Sequence, residues 1–166
     1  MRCFVALVFV ASVAACGGPK AARVGDTPVG SEAPTFRFDS LDARPVSSEA
    51  FRGKFSVIAL ISTGDSIGSQ AEANYLVAMA KNDGDRVNYA LVALQDGTTR
   101  ELVEMYRDAL KIPFPVAMGD SATTAGGGPF GAIEIVPTTL VLDPTGHVRL
   151  KKSGIVKPEE LRAAMR

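Results

Sequence analysis

The stretch "FSVIALISTGDSIGSQAEANYL", Phe55–Leu76, decides the fold. Phe55 to Ile61 is an almost unbroken apolar run. Such a run marks a strand buried on both faces, as in a sheet covered by helices. A polar turn, Thr63-Gly64-Asp65-Ser66, follows. Asp65 or Ser66 is placed to cap a helix, because a short side-chain oxygen can accept from the exposed N–H groups of a first turn. The helix is predicted from about Ser66 to Lys81, with Ala71, Tyr75, Ala78 and Met79 spaced by three and four residues along its inward face. Ser69 then reads as a first-turn residue with little to do.

The same alternation extends in both directions. Phe36, Phe38 and Leu41 alternate with polar residues, and the chain turns through Asp42-Ala43-Arg44, which predicts a β-hairpin. Ser47 or Ser48 can cap a short helical turn ending at Gly53. Val87 to Leu94 is a second buried strand. Thr98 or Thr99 caps a helix reaching about Leu110, with Leu102, Met105, Tyr106 and Ala109 on one face. Phe114–Met118 and Thr138–Asp143 are strands, and the latter turns through Pro144-Thr145-Gly146 into a hairpin partner, His147–Gly154. Lys157–Met165 is a last helix with Pro158 in its first turn. Alternating strands and helices closed by a hairpin and a helix define an α/β sandwich with a mixed sheet.

The chain has 166 residues, 46% of them hydrophobic, which suits one ordinary domain plus a short appendage. Its 18 basic and 18 acidic residues balance without a block of either sign. No basic stripe of the kind that tracks nucleic acid is present, so nucleic acid is not expected as a partner. Both cysteines, Cys3 and Cys16, lie in the opening "MRCFVALVFVASVAACGG". Arg2 supplies a positive start, and the apolar run Phe4–Val13 is shorter than the about 20 residues a bilayer span needs. These are the marks of a secretory signal. "VAAC", Val13–Cys16, resembles a bacterial lipobox. That resemblance implies removal of residues 1–15, lipid attachment at Cys16 and stable membrane anchoring by two or three acyl chains. Residues 16–29, rich in Gly, Pro, Ala and charge, read as a flexible tether, and residues 30–166 as the folded domain. Gly17 stands where an Asp retains some bacterial lipoproteins at the inner membrane. The expected location is therefore the cell envelope, facing the periplasm, with the outer membrane favoured.

The order of elements and two motifs resemble the thioredoxin-like superfamily, in its TlpA-like and AhpC/TSA (redoxin) branch. "VGSEAPTFRFDSLDARPVSSEAFRGKFSVIALIST" resembles the branch's opening and "IVPTTLVLDPTGHV" its closing signature. The resemblance runs from Val29 to the C-terminus. It implies a thioredoxin-like sandwich, a central mixed β-sheet flanked by helices, with an N-terminal β-hairpin. It also implies thiol–disulfide oxidoreductase or peroxidase activity. The family carries Cys-x-x-Cys after the first buried strand, and here Ser66 and Ser69 fall on those cysteines, Glu72 on the following acid and Asp65 where a Trp is usual. Thr63 fits the Thr-x-x-Cys of the peroxidase branch, again with Ser for Cys, but "PTTLVLD" lacks that branch's arginine.

Serine does not replace the thiolate. Exchange requires a thiolate attacking sulfur, and a cysteine begins near pKa 8.5. An aliphatic hydroxyl is nearly as weak an acid as water, at about 15.7. A helix terminus supplies at most about 2 kcal/mol, or roughly 1.5 units. Two alcohols also form no cross-link that could hold two electrons. A hydrolase would need a base beside the serine, and the one histidine, His147, is predicted in a surface turn. Family members that carry copper use cysteines and a histidine, and Asp65, Asp96 and Asp120 lack ligand spacing. No metal and no cofactor are therefore expected. Pro137 in Val-Pro-Thr falls on the family's cis-proline, where extended peptides pair with the preceding backbone. By that resemblance Val136, Pro137, Thr63 and Asp65 are the candidate docking residues for an envelope protein or an extended peptide segment. Asp65→Arg is expected to alter docking while leaving stability within about 0.5 kcal/mol. The glycine-rich "AGGGPFG", Ala125–Gly131, reads as a loop.

Overall fold

The structure is a computed structural model that describes residues 28–65, 67–94, 97 and 99–166. The signal segment, Cys16, most of the tether, Ser66, Gln95, Asp96 and Thr98 lie outside the described residues. Strands β1 (Arg37–Ser40) and β2 (Val46–Ser47) form the predicted hairpin, and α1 (Ser48–Phe51) follows it. Then come β3 (Phe55–Ile61), α2 (Gly68–Asp83), β4 (Val87–Ala93), α3 (Arg100–Ala109) and β5 (Val116–Met118). A short α4 (Ser121–Thr124), β6 (Thr138–Leu142), β7 (Val148–Ser153) and α5 (Pro158–Ala164) complete the chain.

The seven strands form one mixed sheet in the order β2-β1-β5-β4-β3-β6-β7. β3 pairs parallel with β4, and β4 with β5, while β6 runs antiparallel beside β3. This places β3 near the centre, and its composition follows from that position. Val57, Ala59 and Ile61 face one apolar cluster together with Ala73, Leu76, Val103 and Leu161 of the helices. Ile58 and Leu60 face the other, built from Phe36, Phe38, Phe51 and Phe130. Each fully buried aliphatic side chain stabilises the fold by about 1.5–3 kcal/mol, so a strand buried on both faces is apolar at nearly every position. Phe130 anchors the glycine-rich loop, its ring 5.1 Å from that of Phe36. Lys151 Nζ donates to the Phe130 carbonyl at 2.7 Å.

Two helix faces differ from the sequence expectation. The buried face of α2 carries Ser69, Glu72, Ala73, Leu76, Val77, Met79 and Asp83, while Tyr75 and Ala78 are exposed. The expected face is rotated because it omitted the polar Ser69 and Glu72, which are buried through hydrogen bonds. In α3, Thr99 is the cap, accepting from the Leu102 N–H at 3.2 Å. Its inward residues are Val103, Tyr106 and Leu110, and Leu102 and Met105 are exposed. Ser47 is the cap of α1.

Candidate functional site

The end of β3 delivers the chain into a turn in which the Asp65 N–H donates to the Ser62 carbonyl, and α2 starts at Gly68. Asp65 is the residue that closes the turn. Its Oδ1 accepts from the Gly68 N–H at 3.1 Å and its Oδ2 from the Ser69 N–H at 2.7 Å. The Ser69 hydroxyl donates to the same Oδ2 at 3.0 Å and accepts from the Ser62 N–H at 3.1 Å. Hydrogen bonds from the Ser69 and Gly68 backbone hold the Asp65 carboxyl below the usual carboxylate range. Asp65 is thus the side-chain cap, and α2 begins at Gly68 rather than at Ser66. Ser69 is not the idle first-turn residue the sequence suggests; it is fully buried and ties the start of α2 to the end of β3. The expectation that Asp65→Arg leaves stability nearly unchanged is corrected, because that carboxylate holds the turn together.

Pro137 packs onto the first turn of α2. The Val136–Pro137 bond is cis, as the family resemblance implied. A β-carbon built on Gly68 would lie 3.0 Å from Pro137 Cδ and 2.7 Å from Asp65 Oδ2, so glycine is what allows the approach. The Pro137 carbonyl accepts from Gly154 at 2.8 Å, and the Ile135 carbonyl from the Thr138 hydroxyl at 2.6 Å. Between them, among the described residues, neither backbone group of Val136 has a hydrogen-bond partner. Val136 is half-buried, and Ile67 and Ile135 on either side of the junction are 79% and 58% exposed. The structure therefore brings Asp65, Ser69, Val136 and Pro137 to one end of β3, with half-buried Thr63 in the same turn. Ser66, which the resemblance set with Ser69 on the cysteine positions, lies outside the described residues.

One turn further along α2, Glu72 is fully buried. Its Oε1 accepts from the Thr139 hydroxyl at 2.6 Å and its Oε2 from the Val156 N–H at 2.8 Å. Burial pushes its pKa up against the lowering effect of both bonds. Glu72 joins α2, β6 and the segment before α5. The sequence signal was present: an acid three residues after Ser69, between apolar positions of one face.

The base within reach of the Ser69 hydroxyl is the Asp65 carboxylate that already fastens the turn, and no histidine stands beside it among the described residues. His147 lies in the β6–β7 turn, with Nδ1 2.8 Å from the Thr145 hydroxyl. Ser56 near the start of β3 pairs with Leu142, so this turn is at the opposite end of the sheet from Ser69. The Tyr106 phenol is pushed up to about 12 by burial and by the negative charge of Asp65. It stays neutral at physiological pH.

This architecture is that of a thioredoxin-like domain: a cis-proline loop against the start of the helix that follows the central strand. The AhpC/TSA family profile matches residues 29–151, and the chain belongs to that family. A search of curated proteins gave no match. Among solved structures, the thioredoxin-family thiol:disulfide interchange protein from Chlorobium tepidum TLS is similar at 22% identity. That match covers 82% of this chain and 97% of the other, with a TM-score of 0.68. A DsbF homologue from Corynebacterium diphtheriae is 18% identical over 86% of this chain and 94% of its own, TM-score 0.68. StoA from Bacillus subtilis is 17% identical over 82% and 99%, TM-score 0.65. At these identities the likeness shows the fold.

Proposed function

We propose that this protein is a lipid-anchored envelope lipoprotein whose thioredoxin-like domain binds or scaffolds an extended segment of another envelope protein, without redox catalysis. The carrying observation is the unpartnered backbone of Val136, set between exposed Ile67 and Ile135 and next to Pro137. A strand-like segment laid there would gain main-chain hydrogen bonds and apolar contacts. Ser69 at the former redox position is committed to Asp65 and Ser62. The neighbours' names point to thiol–disulfide chemistry, but that chemistry needs sulfur, and Cys3 and Cys16 are the chain's cysteines. In this reading Cys3 leaves with the signal segment and Cys16 carries lipid.

The test has two arms. The purified protein is assayed for insulin reduction and peroxide turnover, where background rates are expected; turnover above background restores the oxidoreductase reading. Partners captured from envelope extract are then measured against Ile135→Asp. A loss of affinity with unchanged melting supports docking at Val136, and unchanged affinity removes it.

A further inference from the structure

We propose that the pole of the domain opposite Pro137 lies against an anionic phospholipid leaflet, so that the docking edge faces away from the membrane. This rests on the lipid-anchor reading above. The pole is formed where β3 and β4 begin and where α2 and α5 end, and it carries two adjoining clefts that share Val87. One, of about 440 Å³, includes Arg44, Lys54 and Asp85 in its lining, with Phe51, Tyr89 and Phe114 as apolar walls. The other, of about 340 Å³, is bordered by Arg86, Arg162, Arg166 and Asp83.

The clefts are unbalanced in charge. Five cations face two acids, and Asp83 is buried, accepting from Tyr89 and from Arg162 at 3.1 Å. The Arg44 charge is shared with Asp42 at 2.6 Å. Lys54 is exposed, and its ammonium has no partner among the described residues. Among the described residues Arg86 donates to the carbonyls of Asn82 and Asp83 and pairs with no carboxylate. The 18 basic and 18 acidic residues of the full sequence balance, so a cationic excess in these clefts is offset elsewhere.

The start of the described chain lies at the same pole. The Gly30 N–H donates to the Val148 carbonyl at 2.7 Å, and the Gly53 N–H, next to Lys54, donates to Pro144 at 2.8 Å. A tether that runs from Cys16 to Val29 therefore joins the domain beside the basic clefts and away from Asp65. Cations at an anionic leaflet attract it only within a Debye length, about 8–10 Å, and a tether that joins on this side brings this pole, rather than the opposite one, near the leaflet. Each cation in contact strengthens the association about fivefold.

The experiment uses the lipidated protein, reconstituted through its own anchor into vesicles of phosphatidylcholine with or without phosphatidylglycerol. Ala50→Cys on the basic pole and Ile67→Cys on the docking pole each carry a fluorophore, read against a headgroup quencher. Strong quenching at residue 50 and weak quenching at residue 67 is expected with phosphatidylglycerol. The contrast should fall in zwitterionic vesicles, in high salt and in the Lys54→Glu, Arg166→Glu double variant. Equal quenching at both positions, or a contrast indifferent to lipid charge and salt, overturns the proposal. Inorganic phosphate at matched ionic strength should change nothing; if it abolishes the contrast where chloride does not, the clefts hold a free anion and the leaflet is not their ligand. Mass spectrometry of Cys16 separates the two readings. If no lipid is attached, the anchor reading fails, and co-sedimentation of the unanchored protein with the same vesicles tests the pole by itself. Binding that requires phosphatidylglycerol and weakens in the double variant then supports it, and absence of binding overturns it.

Discussion

Asp65 accepts both the backbone N–H and the hydroxyl of Ser69 on one carboxylate oxygen, at 2.7 and 3.0 Å. Ser69 thereby fastens the start of a helix. The helix start contributes N–H donors, the carboxylate complements them, and the Ser69 hydroxyl passes the connection on to the Ser62 N–H.

Removing the carboxylate should loosen that fastening. Asp65→Ala is expected to cost about 1–2 kcal/mol, the value of a helix cap, read as a shift in the urea midpoint. The Asp65 pKa is lower in the folded state, so its contribution is present above the unfolded value, about 3.9, and is lost as pH falls through the folded value. The gap between wild type and Asp65→Ala should close on acidification. A gap that stays constant with pH would assign the loss to something other than the carboxylate.

Gly68→Ala tests the approach of Pro137. Alanine in place of glycine ordinarily stabilises a helix by about 1 kcal/mol. Here its β-carbon would meet Asp65 Oδ2 at 2.7 Å and Pro137 Cδ at 3.0 Å. A net loss of about 1 kcal/mol or more is expected from this overpacking. A variant more stable than wild type in thermal melting would show that the two segments are free to separate.

Glu72 should make the protein less stable as pH rises. Its folded pKa is raised by burial, so the folded state holds the proton more tightly. That contribution is complete below the unfolded value, about 4.3, and is lost as pH rises through the folded value. Glu72→Gln can donate to the Thr139 oxygen and accept from Val156, keeping both contacts without a charge. Its stability relative to wild type should rise from an acidic to an alkaline pH, as wild-type Glu72 gives up the proton that the fold holds. Glu72→Ala leaves a cavity and the buried Val156 N–H unpaired, and should cost about 2 kcal/mol or more. Denaturation of the three proteins at the two pH values decides the matter.

Ser69→Cys should produce a reluctant thiol. The position is fully buried and faces the Asp65 carboxylate. Both burial and a neighbouring negative charge raise a thiol pKa, here above the ordinary value of about 8.5. The rate of alkylation against pH should therefore rise only at alkaline pH. A low-pH midpoint would show that the helix N-terminus outweighs Asp65.

Sequence alone determined the architecture of this protein, because a strand buried on both faces is apolar at nearly every position, and Phe55–Ile61 and Val87–Leu94 are apolar but for Ser56 and Asn88. It also determined that Ser66 and Ser69 bring no thiol to this turn, because no environment converts a hydroxyl into a thiolate. The cap of α1 at Ser47 and the turn at Asp65 were within its reach, since capping is local. The inward faces of α2 and α3 were not. Periodicity counts apolar residues, and α2 buries the polar Ser69, Glu72 and Asp83 through hydrogen bonds, those of Glu72 and Asp83 reaching Thr139, Val156 and Arg162 far away in the chain. Tertiary structure likewise decided what Gly68 is for, because only the fold sets Pro137 against it. The same holds for the Val136 backbone, unpartnered among the described residues, and for the clefts at the opposite end of the sheet. Each is made by segments distant in sequence, brought to one end of the sheet by the strand order.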